Sequence, residues 1–127
     1  MRDDTGDLGE SQAGETGQHA SAPPLGQWQC DLPCGTLTWS DDIYDLFELP
    51  RGLRLTRDEV LGFYTPKSRD MLEHIRSWAI EAGRGFTLDA EITTALGNSR
   101  RMRITAHVTC ENDVPVRISG TKQNLTR

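Results

Sequence analysis

The chain has 127 residues, 35% of them hydrophobic and 26% charged, with a formal net charge of -5. That length suits one domain with its own core, and the negative balance argues against a polyanion such as nucleic acid as partner. No apolar run approaches the roughly 18 residues of a membrane span and the polar N-terminus carries no export segment, so a cytoplasmic protein with reduced cysteines is expected. Residues 1–24 hold five acidic residues against one arginine, with only Met1 and Leu8 as large apolar side chains. They offer too little apolar surface to offset the entropy of ordering them, which predicts a disordered acidic tail ahead of a folded unit at 25–127.

In "GQWQCDL", Trp28, Cys30 and Leu32 alternate with polar residues, the period of a half-buried strand. "PCG" turns the chain at Cys34 and Gly35, and "TLTW" alternates again, giving a β-hairpin. Ser40 is placed to cap a short helix whose first turn holds Asp41 and Asp42, with Ile43, Leu46 and Phe47 on its buried stripe and Pro50 as its stop. The acidic residues are thereby explained as helix-start chemistry. Cys30 reads as a core thiol, and Cys30 and Cys34 lack the second ligand pair that zinc needs.

"RDEVLGFY" predicts one or two helical turns. Thr65 as cap and Pro66 at the first helical position then open a longer helix through Ala82, ended by Gly83. On a helical wheel Leu72, Ile75 and Ala79 cluster with Met71, Trp78 and Ala82 beside them, His74 lies on the flank, and Ile80 points away. "FTLDAEIT" places Phe86, Leu88, Ala90 and Ile92 on one face. "RMRITAHVTC" turns Met102, Ile104, Ala106, Val108 and Cys110 inward, and Arg101, Arg103, Thr105 and His107 outward. A last strand carries Val116 and Ile118 inward. The order β-β-α-α-α-β-β-β predicts an α+β fold, one five-stranded antiparallel sheet with the helices on one face.

Five stretches, in order and at compatible spacing, resemble the PAS domains whose sequences open like G-x-W-x-W-D-L and W-S-D-E-L-Y. They are "GQWQCDLPCGTLTWSDDIYDLFELP", "TPKSRDML" at the place of H-P-D-D-R, "GRGFTLDAEI", "GNSRRMR" and "DVPVRISGTKQNLT". The resemblance covers about residues 26–126. It departs from the pattern where H-P-D-D keeps only Pro66, where Asp89 and Glu91 replace the glutamate and arginine of the middle strand, where Arg101 replaces a tryptophan, and where Asn124, Leu125 and Thr126 replace D-I-T.

The resemblance implies a non-catalytic sensory or protein-interaction module, often dimeric, in bacterial signal transduction. The expected reading is a stand-alone single-domain regulator that binds itself or signalling proteins such as histidine kinases; the alternatives are an input domain of a histidine kinase or diguanylate cyclase, and a small-ligand or haem sensor. The flavin photoreceptors of this fold carry a reactive cysteine ahead of the long helix, and "LGFYTPKSRD" has none; His74 is poorly placed for haem. No cofactor or metal is expected. Leu72, Ile75, Phe86, Leu88, Met102, Ile104 and Ile118 are the candidates to line a pocket for a small apolar ligand, and they serve equally as solid core. Asp89, Glu91, Arg101, Arg103, His107 and Arg117 are the candidates for an interaction surface on the outer face of the sheet.

Overall fold

The computed structural model describes residues 25–32 and 35–126; the expectations for residues 1–24 and for Cys34 lie outside this range. Five strands, β1 (Leu25–Asp31), β2 (Leu37–Trp39), β3 (Phe86–Thr93), β4 (Ser99–Glu111) and β5 (Val114–Asn124), form one antiparallel sheet in the order β2-β1-β5-β4-β3. Helices α1 (Asp41–Phe47), α2 (Arg57–Leu61) and α3 (Pro66–Ala82) fall between β2 and β3. The α+β arrangement expected from the alternation is the one formed.

Burial follows period. On β4, Met102, Ile104 and Ala106 are no more than 1% exposed, whereas Arg101, Arg103 and His107 are exposed. Met102 and Ile104 share one core cluster with Phe47 and Ile43 of α1, both at 0%, and fully burying a side chain of this size contributes about 1.5–3 kcal/mol. Strand pairing is close enough that only glycine fits at Gly120, where an added Cβ would stand 1.7 Å from the Thr105 carbonyl oxygen.

Helix ends follow their local chemistry, with one exception. Thr56 and Glu59 form a reciprocal capping box on α2, Thr65 accepts from the Ser68 N–H on α3, and Gly83 closes α3 at φ 67°. Ser40 occupies the N-cap of α1, but its hydroxyl accepts the Gln27 N–H of β1 at 2.8 Å instead of capping the helix. Helix α1 ends before Pro50, on Glu48 in the left-handed region at φ 58°. The Glu48 carboxylate is held by Thr94 Oγ1 at 2.5 Å and Asn98 Nδ2 at 2.6 Å, with Arg100 at 3.5 Å, so the turn of the β3–β4 hairpin is tied to the end of α1.

Three expectations are corrected. Cys110 is exposed, not core: the β4–β5 register shifts between Thr109 and Cys110, and its sulfur lies near Gly83 at the end of α3. Helix α3 is rolled so that Ser68, Leu72 and Ala79 are buried while Met71 and Trp78 are 42% and 48% exposed. The same roll brings Ile80 inward, half-buried against Cys30, Ala106 and Ile118. The wheel was biased by the large apolar residues Met71 and Trp78, whereas close approach of helix to sheet selects the small Ser68 and Ala79.

Candidate functional site

Continuing the β5 alternation from Ile118 through Gly120 puts residue 122 on the inner face, and there the sequence has lysine. Lys122 is 7% exposed, level with Ile104 on β4 and Gly26 on β1. Its Nζ lies 3.1 Å from Tyr64 Oη and 5.2–5.8 Å from the ring centroids of Trp28, Trp39, Phe47 and Tyr64. Four aromatic faces at that range favour the ammonium form. Burial opposes it, and so does the nearby positive charge of Arg57; together they bring the Lys122 pKa down to about 7. Burial also raises the Tyr64 pKa, so its hydroxyl stays protonated as a hydrogen-bond donor at neutral pH.

These groups edge a cavity of about 50 Å³ between the sheet and α2 and α3. Its walls are Trp28, Cys30, Leu37, Trp39, Val60, Leu61, Leu72, Phe86, Ile104 and Ile118, and its polar groups besides Lys122 and Tyr64 are Arg57 and Arg76. The capping box starts α2 at Arg57, which is paired with Glu73 of α3 and has a pKa lowered by burial and then by the charge of Arg76. Tyr64 is fixed by its β-bridge to Ile92, flanked by Thr93 N–H to Phe63 C=O at 2.7 Å and Thr65 N–H to Glu91 C=O at 3.0 Å. Trp39 is 9% exposed, and its Nε1–H has no acceptor among the described residues.

Of the pocket candidates, Leu72, Phe86, Ile104 and Ile118 line this cavity. Met102 lies in the main core, Leu88 packs against it, and Ile75 is half-buried on α3. The surface candidates share the outer face of the sheet: Asp89 pairs with Arg103 at 2.8 Å, Glu91 stands opposite Arg101 in the strand register, Arg117 pairs with Asp31 at 3.0 Å, and His107 is exposed. The hydrogen bond from Arg103 holds the Asp89 carboxyl below its usual pKa. Sequence reasoning missed Lys122, Tyr64 and Arg57, although a lysine at an inward strand position was a signal available to it.

No protein-family model and no curated protein matches the sequence. Solved structures do. The N-terminal domain of a diguanylate cyclase with PAS/PAC sensor from Marinobacter aquaeolei superposes with TM-score 0.73 at 14% identity, over 80% of this chain and 95% of that one. The fold is that of PAS domains. A PAS domain from Colwellia psychrerythraea matches with TM-score 0.67 at 15% identity over 80% of this chain and 86% of its own. An RNA-binding light-oxygen-voltage receptor matches with TM-score 0.70 at 20% identity over 80% of this chain, which spans 29% of that receptor.

This PAS fold does not fit a large cofactor. A cavity of about 50 Å³ is well below the roughly 300–1,000 Å³ of sites for drug-sized ligands. Among the described residues its lining holds no histidine, and the cysteine there, Cys30, stands on β1, not ahead of the long helix.

Proposed function

We propose that the chain is a non-catalytic sensory module of signal transduction, with the interior cavity as its input and the outer face of the sheet as its output. The observation that carries this reading is Lys122 itself. A lysine replaces an apolar side chain at an inward position of the central strand β5, where it makes a small polar site inside an otherwise apolar core. Burying an amine this way costs stability, and a site that opposes folding points to a role in binding. The output assignment is supported by strand geometry: Lys122 faces the cavity while its chain neighbour Thr121 faces outward, paired with Thr105 between the arginines of β4 and His107. A change in the cavity therefore acts on the same strands that display Arg101, Arg103, His107 and Arg117.

The partner on that face is a second copy of the chain or a signalling protein such as a histidine kinase, where complementary charge sets specificity and association rate. Sedimentation equilibrium of the full chain, beside the Arg101→Glu/Arg103→Glu variant, tests the self-association arm. Both side chains are exposed, so the variant is expected to keep its circular dichroism spectrum and to lose self-association. An unchanged association constant in the folded variant contradicts an output through this face to a second copy, and capture of a purified kinase partner is then measured with the same pair.

A further inference from the structure

The groups around the cavity have one chemical sign. Lys122 offers three N–H donors and spends one on Tyr64; Tyr64, accepting from Lys122, keeps its own O–H to donate; Arg57 and Arg76 add guanidinium donors. Trp39, in the same lining, carries a buried Nε1–H with no acceptor among the described residues. Among the described residues, the lining contains no aspartate, glutamate, asparagine or glutamine. Glu73 neutralises Arg57 from α3 without entering the lining. A buried donor left without an acceptor is costly. Here donors and positive charge come together from β2, α2, α3 and β5, and the missing counterpart is an anionic acceptor.

We infer that the cavity binds a small organic carboxylate, its two oxygens taking hydrogen bonds from the Lys122, Tyr64 and Trp39 side and its short carbon chain lying against Phe86, Leu72 and Ile118. This rests on the sensory reading above and supplies its ligand class. Volume sets the size: about 50 Å³ holds a carboxylate of two or three carbons, a few water-sized groups at roughly 15 Å³ each. The apolar walls select an organic anion over phosphate or sulfate, whose every oxygen needs a polar partner. Bound carboxylate also satisfies Lys122 as its counter-ion, so binding takes up a proton wherever the free amine is neutral.

The charged and titratable groups facing this region are Tyr64, Arg57, Arg76 and Cys30 at the cavity, with Asp42, Asp45 and Arg100 sharing a surface cleft at the other side of Lys122. The native chain and its variants are therefore compared side by side at each pH. The full chain, labelled with nitrogen-15, is titrated with sodium acetate and sodium propionate against sodium chloride at equal ionic strength, following the Trp28, Trp39 and Trp78 indole N–H resonances. Expected is a saturable shift of the Trp39 resonance with carboxylate, none with chloride, and little change at the exposed Trp78. Affinity should be at least tenfold weaker at about pH 9 than at about pH 6. Lys122→Met, which replaces a buried amine by an apolar side chain of similar length and so keeps the fold, should abolish the shift, and Tyr64→Phe should weaken it. Absence of a saturable shift, or an equal response in Lys122→Met, overturns the inference. Equal shifts with the neutral acetamide and propionamide in both proteins also overturn the carboxylate class, while leaving the cavity as a ligand site and the sensory reading intact.

Discussion

Lys122 Nζ lies 3.1 Å from Tyr64 Oη, and no carboxylate is among the described residues lining the cavity they share. On the cavity side the ammonium meets aromatic faces and a phenol, against the charge of Arg57. The folded-state pKa of about 7 is below the roughly 10.4 of an unfolded lysine. Between these values the unfolded chain binds more protons than the folded one, so this lysine makes stability rise with pH from about 7 to about 10 and opposes folding in full below about pH 7.

Lys122→Met is accordingly expected to melt higher than the native chain at pH 7 and below, with a gain of about 1–4 kcal/mol. It should also remove the pH slope between about 7 and 10. Melting curves of both proteins across that range check this. Parallel curves would place the amine in water.

The approach of β4 to β5 leaves no room at Gly120. Gly120→Ala puts a methyl 1.7 Å from the Thr105 carbonyl oxygen, a fixed backbone atom, whereas Gly26→Ala puts one 2.2 Å from Ile43 Cγ1, a side-chain atom whose shift repacks the fully buried Ile43. Gly120→Ala is expected to cost about 4 kcal/mol or more, beyond the usual range of point substitutions, and Gly26→Ala distinctly less. Urea unfolding of the two variants orders them.

Glu48 both adopts a left-handed backbone and accepts hydrogen bonds from Thr94 and Asn98. Those two donors, in that order, hold its carboxyl below the usual pKa, which contributes stability that is present above the unfolded pKa and lost as pH falls through the folded one. Glu48→Ala should lower the melting temperature by several degrees. Glu48→Gly should recover part of that loss, because glycine accepts positive φ without strain. Equal melting of the two variants would mean the backbone conformation there is unstrained.

Sheet and helices were legible because β3 and β4 alternate without interruption in sequence and the caps at Thr65 and Gly83 are local signals that tertiary contacts did not override. The roll of α3 was not, since it is set by how closely Ser68 and Ala79 let the helix approach the sheet. Cys110 continued the inward alternation in sequence, but the bulge beside it ends that phase in space. The cavity was half visible: Leu72, Phe86, Ile104 and Ile118 follow from periodicity, whereas the polar group at its centre stands at a position that periodicity reserves for an apolar side chain. Lys122 broke the pattern, and the break was the signal.

The central claim is that an amine inside the sheet forms the input site, and the carbon-13 titration of the lysine Cε resonances tests it most directly. The chain has two lysines, Lys67 and Lys122, and Lys67 is exposed on the first turn of α3, so it serves as an internal reference. The account predicts that Lys122 titrates near pH 7, moving upward when acetate is added. A Lys122 resonance that titrates near the roughly 10.4 of an unfolded lysine, unmoved by acetate, would contradict it.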